Sequence, residues 1–124
     1  MKETYFSASS IREKSREILE RVSPLRKDRA AMFDPARSTL LVLDMQDYFL
    51  DPDSHAFIPS AAAIIPGVRK LADAFTSSGR PVIFTRHVNT DADAGAMATW
   101  WGELIRDEDP RSAVTGDLDL SRGR

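Results

Sequence analysis

Apolar residues gather into two short, nearly unbroken runs along this chain, Thr39-Leu40-Leu41-Val42-Leu43 and Pro81-Val82-Ile83-Phe84-Thr85. A strand with one wet face alternates apolar and polar positions, whereas a continuous run suits a strand covered on both faces, as in a parallel sheet. Between the runs the apolar positions change to helical spacing: Ile64/Ile65, Val68, Leu71/Ala72 and Phe75 make one stripe. Pro66 fits the first turn of that helix and Gly79 lies just past its end. Pro81, without an amide hydrogen to donate, suits the first position of a strand. Strand, helix and strand in this order predict a βαβ unit with parallel strands and a right-handed crossover.

The first thirty residues carry a different pattern. Ile11, Ile18, Val22 and Leu25 recur near helical spacing, with Ser10 and Glu13 placed as a capping box and Glu17 four residues before Arg21 in the favourable order for an ion pair. Pro24 ends this helix, and Arg26-Lys27-Asp28-Arg29 read as a solvated linker. Residues 1–34 are therefore expected to be a helical arm and linker, and residues 35–124 the first part of a domain. Asp51-Pro52-Asp53-Ser54 opens a loop that runs to about Ser60. Beyond Arg86 the pattern loosens: a loop from Asn89 to Gly95, a short helix within Met97 to Ile105, and an acidic turn at Asp107-Glu108-Asp109-Pro110. Two strands and one crossover helix do not bury themselves, so the pattern describes an incomplete sheet.

Composition narrows the functional classes. Hydrophobic residues make up 42% of the 124 positions, enough for a packed core, and the formal net charge is −2 with both signs mixed along the chain. No sustained basic run with interleaved aromatics marks a nucleic-acid surface. The apolar runs are too short to cross a bilayer, and the opening Met1-Lys2-Glu3-Thr4 lacks the layout of a signal peptide, so a cytoplasmic location is expected. There is no cysteine. Disulfides, thiolate metal sites and a cysteine nucleophile from these residues are thereby excluded.

In open α/β sheets, ligands bind beyond the carboxyl ends of the strands. Asp44 follows the first strand there, and Arg86-His87 follow the second. A carboxylate at the edge of an apolar layer can act as a proton carrier; it can equally cap a turn. His87 has three readings: a hydrogen bond to a substrate carbonyl, a metal ligand, or a polar niche. No Asp-x-His pair follows the second strand, and the other histidine, His55, belongs to a separate loop, so no metal site and no cofactor are expected. Trp100 and Trp101 are read as core or lid packing, with substrate stacking as the alternative.

Taken together, the residues carry more. Leu41-Val42-Leu43-Asp44-Met45-Gln46-Asp47-Tyr48-Phe49 resembles the first strand and following loop of the isochorismatase-like hydrolase superfamily. Gly79-Arg80-Pro81-Val82-Ile83-Phe84-Thr85-Arg86-His87 is similar to that family's second strand, and Trp100-Trp101-Gly102-Glu103-Leu104-Ile105 to the segment after it. The resemblance implies a doubly wound parallel sheet in a three-layer α/β/α sandwich, and in most members an Asp-Lys-Cys catalytic set. Asp44 matches the aspartate, the general base that accepts the thiol proton. Gln46, Phe49, His87 and Trp101 are the expected substrate-lining residues. The family's lysine and cysteine follow its third and fourth strands, and here no lysine follows Lys70.

The implied function is that of the amino-terminal part of a cysteine hydrolase acting on a small amide, carbamoyl or related substrate. As a homo-oligomer or with a complementing chain it would act on a small molecule, with no nucleic acid or membrane as partner. True isochorismatases, which cleave a vinyl ether with the aspartate as acid and need no thiol, are the alternative. Their second strand leads into a Gln-Pro pair where this chain has Arg86-His87, which favours the amidohydrolase branch. A truncated, non-catalytic interaction module is the remaining alternative.

Overall fold

The computed structural model describes residues 2–25 and 34–119. The elements that position the site are β1 (Leu40–Val42), helix α2 (Asp47–Leu50), helix α3 (Ala61–Ser77) and β2 (Val82–Phe84), preceded by the arm helix α1 (Ile11–Val22) and followed by α4 (Met97–Trp100). β1 and β2 pair in parallel, Leu40 opposite Val82, Leu41 opposite Ile83 and Val42 opposite Phe84. The βαβ order and the parallel pairing match the sequence pattern. The strands are shorter than the apolar runs: Thr39, Leu43, Pro81 and Thr85 lie outside them, although Pro81 O and the Thr85 amide still bond across to Leu40 and Val42.

The crossover helix begins earlier than its proline suggests. Ala61-Ala62-Ala63, strong helix formers, start α3 at Ala61, so Pro66 sits inside the helix rather than in its first turn. Gly79 follows the helix with a φ of +68°, the left-handed conformation that glycine adopts without strain. In the arm, Ser10 occupies the N-cap position of α1, but its hydroxyl makes no cap bond. It accepts instead from the Ser7 amide at 2.9 Å, so the capping box is not formed. The ion pair on this helix is Lys14–Glu17 at 3.2 Å rather than Glu17–Arg21. α1 buries none of its residues, and Pro24 lies in a short 3-10 turn directly after it. The basic linker lies outside the described residues.

The segment after β2 does more than connect. Val114 forms an isolated antiparallel bridge with Gln46. The Asp47 amide donates to Ala113 O at 3.0 Å and the Thr115 amide to Met45 O at 2.8 Å. Arg69 on α3 reaches Asp117 O and Asp119 O at 3.3 and 3.1 Å, which ties the same segment to the crossover helix. The helix expected within Met97 to Ile105 is the single turn of α4, and Ile105 beyond it is fully buried. Among the described residues no helix is long and apolar enough to cross a membrane.

Burial is uneven. The buried hydrophobic residues are Val42, Tyr48, Ala72, Ala94, Ile105 and Leu118, and the buried polar ones, equally numerous, are Gln46, Ser54, Ser60, Asn89, Ser112 and Thr115. Leu41 and Ile83, paired across the ladder, are 53% and 51% exposed. Their side of the sheet is open. The chain exposes 9450 Å², against roughly 6,600 Å² for a compact folded monomer of this mass. A parallel strand pair needs cover on both faces, and among the described residues one face is only partly covered.

This open face sets an expectation for solution behaviour. The isolated chain should associate in a concentration-dependent way, as read by light scattering coupled to size exclusion. Leu41→Lys combined with Ile83→Lys should reduce that association. A wild-type monomer that unfolds cooperatively at low concentration would show that the core is sufficient as it stands.

Candidate functional site

The carboxyl ends of both strands open on the same edge because the strands are parallel. Asp44 is two residues past β1, and His87 is three past β2. The register that sets Val42 opposite Phe84 also brings Thr85 level with the end of β1. The Thr85 amide donates to Val42 O at 3.0 Å, and the Asp44 amide donates to Thr85 O at 3.2 Å. The Thr85 hydroxyl then donates to Asp44 Oδ1 at 2.8 Å. The other carboxylate oxygen of Asp44 has no partner among the described residues.

Asp44 has a φ of +52° and is the one non-glycine residue with positive φ among those described. Aspartate tolerates the left-handed region better than most residues, yet the conformation still costs about 1 kcal/mol. Backbone strain of this kind is concentrated at functional sites, where the surrounding structure over-determines it. Here the determinants are visible: the Asp44 amide is held by Thr85, and the Asp44 carbonyl accepts from the Gln46 amide at 2.8 Å.

Gln46 is fully buried and its side chain ties three pieces of backbone together. Nε2 donates to His87 O at 2.9 Å and to Ser112 O at 2.6 Å. Oε1 accepts from the His87 amide at 2.7 Å. Both amide hydrogens are thus committed, and what Gln46 does locally is to clamp the loop after β1 to the loop after β2. Next to it, Tyr48 is also fully buried. Its hydroxyl lies 3.0 Å from His55 Nδ1 and 3.3 Å from Glu103 Oε2, and the Arg111 guanidinium stacks 4.9 Å from its ring centre. Burial, and then the Glu103 carboxylate, push the Tyr48 phenol above its ordinary range. Arg111 also pairs with Asp109 at 2.6 Å and Asp51 at 3.4 Å. Its side-chain and backbone hydrogen bonds hold the Asp109 carboxyl below the usual carboxylate range.

A cleft of about 340 Å³ opens beside the end of β1. It is lined by Asp44, Gln46 and Ser60 among otherwise apolar residues, which include Leu43, Met45, Phe49, Ile58 and Ile64. Of the residues expected at the site, the structure brings Asp44, Gln46 and Phe49 to this one cleft. His87 and Trp101 do not line it. The His87 ring, Nε2 at 2.7 Å from Oδ1 of buried Asn89, occupies a polar niche. Trp101 packs edge-on against His55 and Trp100, each with ring centres 5.4 Å apart, and its indole nitrogen is buried without a partner among the described residues. Arg86 is drawn away to Asp107 and, at 3.1 Å, to the Ser112 hydroxyl. No three of the His, Asp and Glu side chains among the described residues converge as a metal site.

Sequence reading alone passed over Thr85, although a threonine at the end of one parallel strand, level with a carboxylate at the end of the other, is a readable signal. It also passed over Phe6, a lining residue from the arm, for which no local signal exists.

Two stability outcomes follow from this geometry. Gln46→Leu keeps the bulk but strands two carbonyls and one amide, and should lower stability by about 3 kcal/mol in denaturant titration. A loss below about 1 kcal/mol would mean that water takes over the amide's bonds. Asp44→Gly should be more stable than Asp44→Ala by about 1 kcal/mol, since both lose the carboxylate and only glycine accepts the positive φ freely. Equal midpoints would show that the loop relaxes and stores no strain.

Comparison with known proteins identifies a family for most of the chain. The model of the Isochorismatase domain family matches residues 38–120, a span that holds both strands, Asp44 and the bridged segment around Val114. No solved structure matches the chain.

Proposed function

The chain belongs to the Isochorismatase domain family, and from that membership we propose that it supplies the general-base half of a hydrolase acting on a small amide, carbamoyl or related substrate. Asp44 is the base. The observation that carries this reading is a carboxylate held in a strained left-handed turn at the carboxyl end of a parallel strand, with one oxygen fixed by Thr85, in a residue that lines an apolar cleft. Such a group is pre-positioned to take a proton.

In this reading the complete domain is a doubly wound, three-layer α/β/α sheet, and β1 and β2 are its first two strands. The open face at Leu41 and Ile83 is then covered by further elements, supplied by other sequence or by a second chain. The nucleophile comes from there too, because these residues contain no cysteine. A thiol gives its proton to Asp44 as its sulfur attacks the amide carbonyl. The proton passes to the departing amine as the carbon–nitrogen bond breaks, and water then hydrolyses the thioester. Phe49 forms an apolar wall for the substrate, while Gln46 holds the loop that carries Asp44 in register with β2.

One observation favours a second reading. The absence of cysteine is compatible with the vinyl-ether branch of the family, in which the aspartate acts as an acid and no thiol is required.

The test is kinetic. Residues 1–124 alone should give no measurable amidase activity, and supplying the missing half, as continuous sequence or as a complementing chain, should produce turnover. In that complete enzyme Asp44→Asn should fold but lose several orders of magnitude in kcat, because the carboxamide keeps the shape and cannot accept the proton. The comparison is run across a panel of small amides and isochorismate. Near-normal rates in the variant would remove Asp44 from the chemistry, and cleavage of isochorismate alone, insensitive to thiol reagents, would move the assignment to the vinyl-ether branch.

A further inference from the structure

The cleft beside Asp44 is not built from the βαβ unit alone. Every lining residue but one lies between Leu43 and Ile64; the exception is Phe6. The short segment that carries Phe6 is anchored at both ends. Lys2 Nζ donates to His55 O and, at 2.9 Å, to Phe57 O. The Phe6 amide donates to the hydroxyl of buried Ser60 at 3.2 Å. Ser7 O accepts from the amides of Ser10 and Ile11 at 3.1 and 2.9 Å, which makes the start of α1 the second anchor. Along this segment Tyr5 is 74% exposed while Phe6 turns inward and is half-buried. An arm that buries nothing on α1 thus spends its one inward aromatic on the cleft.

The lining also limits what the cleft can hold. The Ser60 hydroxyl accepts from Phe6, and both amide hydrogens of Gln46 are committed to backbone carbonyls. What remains polar on an otherwise apolar lining is the Asp44 carboxylate, an acceptor, and the hydroxyl hydrogen of Ser60, a donor, in a volume at the small end for ligand sites.

We propose that residues 2–7 form a strap whose Phe6 is a specificity-determining wall of the Asp44 cleft, limiting it to a compact apolar ligand with one small neutral polar head, such as an aryl or branched-alkyl primary amide. The inference rests on the reading of this cleft as the substrate site and adds the residue that sets its size limit. An anionic ligand is disfavoured by the Asp44 carboxylate, and a ligand larger than one ring is disfavoured by Phe6.

The test uses the full 124-residue chain and ligand-observed NMR, which tolerates association of the protein. The probes are 4-fluorobenzamide, 4-fluorobenzoate and 1-naphthamide. The wild type should bind the benzamide at least about tenfold more tightly than the benzoate or the naphthamide. Phe6→Ala should weaken the benzamide by about tenfold while the naphthamide binds as well or better, because the wall is lost and the cleft widened. Ser60→Ala, which unpins the strap without touching the ring, should move both ligands in the same direction. Phe6→Leu, which keeps an apolar wall, should fall between wild type and Phe6→Ala. Tyr5→Ala, changing the exposed neighbour, should match wild type.

If Phe6→Ala and Phe6→Leu, folded by circular dichroism, both keep the wild-type size preference, the strap is not a specificity element, and the Asp44 reading stands untouched. If the wild type fails to prefer the benzamide, or Asp44→Asn leaves the amide-over-benzoate preference unchanged, the cleft reading itself is overturned, and this inference with it.

Discussion

A buried carboxamide cannot be left half-bonded, and Gln46 meets that requirement by joining three segments that lie far apart along the chain. With no water to serve it, its amide must find protein partners, each missing one costing about 1–3 kcal/mol. It finds them in the backbone of His87 and Ser112. The loop after β1 is thereby locked to the loop after β2, and the segment near Val114 is drawn alongside both. In a sheet of two three-residue strands, the ladder alone is too short to impose this arrangement.

The geometry of Asp44 is downstream of that clamp. Its carbonyl accepts from the Gln46 amide, its own amide is held by Thr85, and between these two fixed points the backbone is forced to a positive φ. Thr85 then takes one carboxylate oxygen and leaves the other beside the cleft. Asp44 is itself exposed, so solvent reaches its carboxylate, and the cost that remains is the positive φ of its backbone.

The remainder of the molecule divides into a satisfied side and an unsatisfied side. Around Tyr48 the polar groups are closed on one another: phenol to His55 and Glu103, guanidinium over the ring, Arg111 to Asp109 and Asp51. That network fastens the chain beyond α4 to α2. At Leu41 and Ile83, by contrast, the sheet presents apolar side chains that are only half covered. Parallel sheets are stable when both faces are dry. The energetic demand of the fold therefore points outward, toward more protein, while its chemical demand points into the cleft.

Much of this was legible from residue order. The two apolar runs, the helical stripe between them and the position of Asp44 specify a parallel βαβ unit and a carboxylate at its carboxyl edge, because periodicity and strand-end placement are local properties. Motif order along residues 35–118 was enough to point to the family. Residue order could not show that Gln46 would spend its amide on backbone, that Thr85 would hold Asp44, or that His87 and Trp101 would stay outside the cleft that takes Phe49. Nor could it show that Phe6 would complete that cleft, or that Pro66 would lie inside its helix. Each of these depends on which distant segments are brought within hydrogen-bonding or van der Waals reach, at separations of about forty to sixty residues for Gln46, Thr85 and Phe6. Hydrophobic period determines the elements; only their packing decides which polar groups are consumed in holding the elements together and which, like the second oxygen of Asp44, are left without a protein partner among the described residues.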